Sequence, residues 1–164
     1  MDIVLIGRIA ESAALATVRE KKEELSGSYP SSYLVKGIKG LEAEFADPDT
    51  LMKALGKSIY MEVISGGSLA DALWKTGEEL GKGLRVHRDS IPAAQFAIEM
   101  AEFDGRDPMR SDSTGCVVCV TERGGELCDE LRGTGVPCAV IGYITDDNDR
   151  CLITEAGKSF LTGR

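Results

Sequence analysis

The chain has 164 residues, a formal net charge of −8, 43% hydrophobic and 28% charged residues, the size and balance of one globular domain with a core of its own. Its Asp and Glu are spread along the chain, which disfavours nucleic acid and anionic membrane as partners, and no apolar stretch approaches the roughly 18–20 residues that span a bilayer. The start, Met1-Asp2-Ile3-Val4-Leu5-Ile6-Gly7-Arg8, lacks the basic region and longer apolar core of a secretory signal, so the sequence predicts a soluble cytoplasmic protein.

Residues 2–6 read as a short apolar strand ended by Gly7-Arg8. Ile9, Ala13, Leu15, Ala16 and Val18, followed by a charged run, predict one helix over 9–25 with a solvated end, and 26–30 read as a break. Leu34, Val35, Ile38 and Leu41 have helical spacing and predict a helix over 31–45, although Gly37 and Gly40 each lower helix propensity by about 1 kcal/mol. Asp47 before Pro48 predicts a capped helix through Leu55 that ends at Gly56. A strand over 59–64 then meets Ser65-Gly66-Gly67-Ser68 and turns into a helical stripe of Leu69, Ala72, Leu73, Thr76 and Leu80, closed by Gly81.

Residues 84–88 alternate as a strand with one buried face. Arg85, His87 and Arg88 lie together on it, either as a local anion-friendly patch or as a solvated strand edge. Asp89-Ser90-Ile91-Pro92 predicts the cap of a helix over 93–103, with Phe96, Ala97, Met100 and Phe103 on one face. After a turn at 104–108, the polar loop Ser111-Asp112-Ser113-Thr114-Gly115 leads into a strand over 116–121, and Gly124-Gly125 opens a helix over 126–131. Residues 136–144 read as a strand, 146–149 as a hairpin turn, 151–154 as its partner and 156–164 as a short edge element. This order predicts an α/β (α+β) fold in a single domain over 1–164, a mixed sheet covered by helices; the hairpin excludes a purely parallel sheet.

The strand-Gly-Gly-helix junction is the leading candidate site. Amide groups at a helix start have no intrahelical partners and sit at the positive end of the helix dipole, which suits phosphate or carboxylate. The alternative is that the glycines only make the turn and let helix pack on strand. The hydroxyls and amides of the 111–115 loop form a second place where donors gather. Five cysteines, an odd number with no export signal, predict reduced thiols. Cys116 and Cys119 fall on opposite faces of a strand, and with His87 the single histidine no zinc site or nucleophile–base pair is predicted.

Three ordered stretches, SGGSLADAL with GKGLRVHRDSIP, then FDGRDPMRSDSTGCVVCV, then GVPCAVIGYITDDNDRCLI, resemble the C-terminal domain of the aminoimidazole ribonucleotide (AIR) synthetase superfamily, closest to its hydrogenase-maturation-like branch. The resemblance implies a mixed sheet with helices, partly like a ferredoxin fold. It also implies that the N-terminal domain, which in relatives supplies metal and most nucleotide contacts and pairs into a dimer, is absent. Relatives often carry His-Asp and an acidic residue before the glycine pair; here Met61-Glu62-Val63-Ile64-Ser65 keeps one carboxylate, Glu62, and no histidine. The cysteine that carries the thiocarbamate at the C-terminus of the hydrogenase-maturation enzyme is replaced by Leu161-Thr162-Gly163-Arg164.

Two functions from different classes follow. The first is a stand-alone binding or assembly module without catalytic residues, metal or cofactor, working as a homo-oligomer. The second is half of a split ATP-dependent synthetase, dehydratase or kinase, completed by a separate N-terminal-type subunit, with ATP and magnesium entering only through that partner. In either case Glu62, Ser65, Gly66, Gly67, Ser68, Ser113, Thr114 and Gly115 are the predicted anion or ligand site, for a phosphate-containing small molecule. A thiol or metal protein, resting on the cysteines alone, is a third.

Overall fold

The structure, a computed structural model, describes residues 1–41 and 47–162. A seven-stranded sheet runs in the order β2 (Tyr60–Val63), β4 (Val117–Thr121), β1 (Asp2–Ile6), β5 (Cys138–Thr145), β3 (Gly83–His87), β6 (Arg150–Thr154) and β7 (Gly157–Phe160). Every neighbouring pair is antiparallel except β3 with β6. The strand β1 lies in its interior, and Ile3, Val4 and Leu5 are wholly buried. Because successive side chains of a strand point to opposite faces, Ile3 and Leu5 enter one core with Leu69, Leu73, Leu84 and Val86. Val4 and Ile6 enter a second with Ala54, Leu127 and Leu131. The helix α5 (Leu69–Leu80) therefore covers one face, and α4 (Pro48–Lys57) with α7 (Gly124–Gly133) the other. A third cluster joins α1 (Glu11–Glu20), α2 (Lys22–Ser28), α3 (Ser31–Gly40) and α6 (Gln95–Phe103) through Ala14, Leu25, Leu34, Phe96 and Met100.

Several elements form as the sequence predicts. Asp47 caps α4, its Oδ1 accepting the Thr50 amide at 2.8 Å, and β7 is an edge strand. Cys116 and Cys119 do enter opposite cores. Residues 42–45 of the helix predicted over 31–45, and 163–164 of the last element, lie outside the described residues.

Other elements differ. The single helix over 9–25 is two, because Lys21 leaves helical dihedrals (φ −118°, ψ 31°). The bend carries Leu25 into the third cluster and the Lys21 ammonium onto the Asp104 carboxylate at the end of α6. That ammonium holds the Asp104 carboxyl below its ordinary range. The segment 26–28, expected as a break, continues α2. Asp89 does not cap α6: Arg88–Ser90 form a 3₁₀ turn, the Pro92 carbonyl accepts the Ile9 amide at 3.0 Å, and the helix begins only at Gln95 after an extended Ala94.

The predicted hairpin is also overturned, since β3 lies between β5 and β6. The link from Thr145 to Arg150 arches over the start of β3, and its polar residues bind that strand. Asp147 Oδ2 accepts Arg85 Nη2 at 2.8 Å, and the Asp149 carbonyl accepts both the Leu84 amide and Arg85 Nη1 at 2.9 Å. Arg85 is thus a paired, largely buried residue of an interior strand and not part of a solvated edge. Gly83 makes the arch possible: a Cβ there would lie 2.2 Å from Asp147 Oδ1, 2.4 Å from Thr145 Oγ1 and 2.6 Å from the Asp149 carbonyl oxygen. Gly83→Ala is expected to lower stability by roughly 1–3 kcal/mol through this overpacking, read as a fall in the urea midpoint.

Candidate functional site

The strand β2 has four residues, too short to bury a face alone, and it pairs with β4 so that Glu62 lies opposite Val118 and Val63 opposite Val117. The ladder continues past both strands. The Ile64 amide donates to the Cys116 carbonyl and the Gly115 amide to the Ile64 carbonyl, both at 2.9 Å, and the Ser113 amide donates to the Gly67 carbonyl at 2.8 Å. Ser68 and Asp112 form a last bridge. The two stretches chosen separately from the sequence, 65–68 and 111–115, are therefore hydrogen-bonded partners. Gly66, at φ 73°, takes the left-handed conformation the turn requires.

Much of the donor capacity of the junction is used within the protein. The Gly66 amide donates to Thr114 Oγ1 at 2.9 Å, and Thr114 Oγ1 in turn donates to Asp112 Oδ1 at 2.5 Å. Ser68 caps α5 in a capping box: its Oγ accepts the Asp71 amide at 3.2 Å and donates to Asp71 Oδ2 at 2.9 Å. Ser113 is 1% exposed; its hydroxyl accepts the Ala10 amide at 2.9 Å and donates to the Ser111 carbonyl at 3.2 Å, fixing the loop to the start of α1.

Beside the turn a recess of about 110 Å³ is lined by Glu62, Ile64, Ser65, Gly67, Ser68, Asp71, Ala72 and Lys75. Of the predicted residues, Glu62, Ser65, Gly67 and Ser68 line it together. Gly66, Ser113, Thr114 and Gly115 do not: the Gly66 amide is turned to Thr114, and the other three support the turn from the side of the 111–115 loop. Lys75 Nζ donates to Glu62 Oε1 at 2.9 Å, and that bond raises the lysine above its ordinary range. The Tyr60 hydroxyl reaches Glu62 Oε2 at 3.4 Å, and burial followed by the Glu62 charge pushes the tyrosine up. Sequence reasoning missed Asp71, Lys75 and Asp112. Asp71 had a signal, since Ser68-Leu69-Ala70-Asp71 has capping-box spacing. Asp112 lay inside the 111–115 loop and accepts the Thr114 amide two residues on at 2.9 Å, a local turn that Asp before Ser-Thr-Gly signals; Lys75 acts across the fold and had no signal.

With two carboxylates and one ammonium at the recess, the helix-start potential that favours an anion is offset by Asp71, and Lys75 is the cation a phosphate would meet. Among the described residues no group of three or more His, Cys, Asp or Glu is placed to hold a metal, and no helix is long and apolar enough to cross a membrane.

A family model described as AIR synthase related protein, C-terminal domain, matches residues 42–153. Phosphoribosylformylglycinamidine synthase subunit PurL of Corynebacterium glutamicum (strain R) is 26% identical over 103 residues, 63% of this chain and 13% of that protein. Among solved structures, E. coli HypE, a hydrogenase maturation protein, superposes with a TM-score of 0.79 at 18% identity, over 99% of this chain and 50% of that one. Thiamine-monophosphate kinase from Stenotrophomonas maltophilia K279a gives 0.67 at 18% identity, over 92% and 49%. The chain thus spans about half of these structures and a small part of the curated relative; at such identities the likeness is one of fold. The capping box predicts that Ser68→Ala costs about 1 kcal/mol of stability, measurable by chemical denaturation.

Proposed function

The chain belongs to the family of AIR synthase related proteins, as their C-terminal domain, and from that premise we propose that it acts as a binding and assembly module without turnover of its own. The observation that carries this reading is an apolar surface at one end of the sheet. Met52 and Leu55 on α4 and Ile59 at the start of the β2 edge are 67%, 55% and 59% exposed, and Val63 follows on the same edge strand. Such a run beside a strand edge that has no partner among the described residues is costly to leave in water and ready to pair with another chain.

The turn supports the same reading. Its hydrogen bonds run to Thr114, Ser113 and Asp71, which makes it a stiff joint between sheet and α5. Burial pushes Cys116 up to about 12 and Cys119 up to about 11, which makes these thiols poor nucleophiles.

The occupant of the apolar edge in this reading is a second copy of the chain. Sedimentation of the purified protein should show self-association, and Ile59→Glu should shift it to monomer with an unchanged circular dichroism spectrum. A wild-type monomer at every accessible concentration overturns the assembly reading, and magnesium-dependent ATP hydrolysis by the chain alone overturns its non-catalytic part.

A second reading is favoured by the span of the match, about half of HypE and of thiamine-monophosphate kinase. Here the chain is one half of an ATP-dependent enzyme whose other half is a separate subunit, with Gly67 and Ser68 facing a phosphate-containing ligand, Gly66 making the turn behind them, and Lys75 moving from Glu62 to meet it. Titration with inorganic phosphate, followed by NMR at the Gly66 and Gly67 amides, tests this. Saturable shifts there support the ligand site; none returns the turn to architecture.

A further inference from the structure

We propose that Cys128 and Cys138 are a built dithiol site that closes to a reversible disulfide and so ties α7 to β5. The five cysteines of the chain are all free and buried, and these two are brought together. Cys128 lies on the inner face of α7 and Cys138 opens β5, and their sulfurs are 3.1 Å apart, with the Cys138 thiol donating to Cys128 Sγ. That is inside the roughly 3.5–4 Å at which unbonded heavy atoms usually rest, and an approach of about 1 Å reaches the S–S bond length of about 2.05 Å.

The surroundings distinguish the two sulfurs. The Cys138 thiol donates to Cys128, and that bond lowers the Cys128 thiol and, with burial, raises Cys138, while the Arg132 guanidinium favours the thiolate form of both. Arg132 is fixed there by donating from Nε to the Cys138 carbonyl at 2.9 Å. Cys128 is therefore the first nucleophile and Cys138 the resolving thiol. With hydrogen peroxide as oxidant, the Cys128 thiolate attacks one peroxide oxygen, the O–O bond breaks, and the released hydroxide takes a proton to become water. The Cys138 sulfur then attacks the sulfenic sulfur, the S–O bond breaks, and the departing hydroxide takes the Cys138 proton. Two thiols and one peroxide give one disulfide and two waters.

Burial makes the reaction slow and selective. Cys128 and Cys138 are 1% and 4% exposed, but Gly133, which ends α7, and Thr134 and Gly135, in the link to β5, are exposed, and opening of that link would admit a molecule the size of peroxide. Cys116 and Cys119 have no such partner thiol in hydrogen-bond contact, the first donating to the Arg8 carbonyl at 3.1 Å.

The test uses the native full chain. After exposure to hydrogen peroxide, quenching, unfolding and alkylation without reductant, it should carry three alkyl groups, on Cys116, Cys119 and Cys151, against five before exposure. Peptide mapping should find Cys128 joined to Cys138, and dithiothreitol should restore all five thiols. Five alkylated thiols after exposure, or a bond joining any other pair, overturns the proposal. In Cys138→Ser the sulfenic acid has no resolving thiol, so dimedone should label Cys128; a folded variant without that adduct overturns the assignment of the nucleophile.

Discussion

Burial of β1 on both faces is the constraint from which the rest of the molecule follows. A five-residue strand with Ile3, Val4, Leu5 and Ile6 out of water needs a helix layer above and below, and apolar burial at roughly 25 cal/mol per Å² makes its displacement costly. It also needs a partner on each side, because a buried backbone amide or carbonyl left unpaired costs free energy. The strands β4 and β5 supply those partners. The β5 partner has a register shift between Ile3 and Val4, a local irregularity on which the ladder re-forms at once. Once β4 is fixed against β1, its other edge fixes β2, and the continuation of that pairing past both strand ends brings the glycine turn and the 111–115 loop together.

That continuation changes what the turn can do. An isolated strand-Gly-Gly-helix junction offers free amides at a positive helix end. Here the Gly66 amide has the Thr114 hydroxyl, the Asp71 amide has the Ser68 hydroxyl, and the Asp71 carboxylate sits where an anion would complement the dipole. The charge at the recess is balanced internally as well, with Glu62 holding Lys75. A ligand there competes with bonds already made, so affinity depends on how readily Lys75 leaves Glu62, an exposed pair of a kind worth little. The lysine is thus the most easily redirected group at the site.

Local chemistry made much of this legible in the sequence. The strand of β1, the Asp47-Pro48 helix start and the turn before α5 each depend on residues within one or two turns of chain, and each formed where its signals lay. The insertion of β3 between β5 and β6 was not legible, because Asp146-Asp147-Asn148-Asp149 has the composition of a hairpin turn whether the flanking strands touch or admit a third. The partner of that link lies more than sixty positions earlier, in β3, whose Arg85 binds Asp147 and Asp149 and whose backbone pairs with both flanking strands. The break at Lys21 is similar: its partner is Asp104, on another helix. At the site, the two loops were each visible and their pairing was not, since register between β2 and β4 is a property of the sheet and not of either stretch.

The two free edges of the sheet are treated differently, and the difference bears on assembly. The edge strand β7 is exposed throughout, and its Lys158 stands 6.0 Å from the centroid of the Phe160 ring, so a charge that discourages strand addition sits beside the one large apolar side chain there, itself 65% exposed. At the opposite edge, the one charge on β2, Glu62, is neutralised by Lys75. Ile59 and Val63 flank the strand, and Met52 and Leu55 extend the apolar surface onto α4. An edge kept apart from other chains carries the first kind of protection, and an edge that works by meeting another chain cannot. Because α4 is tied to α7 by Lys57, 3.2 Å from Glu130, the helix that holds Cys128 also braces the helix beneath that apolar surface. Whatever fixes α7 against β5 therefore acts on the same side of the sheet as the surface that assembly would use.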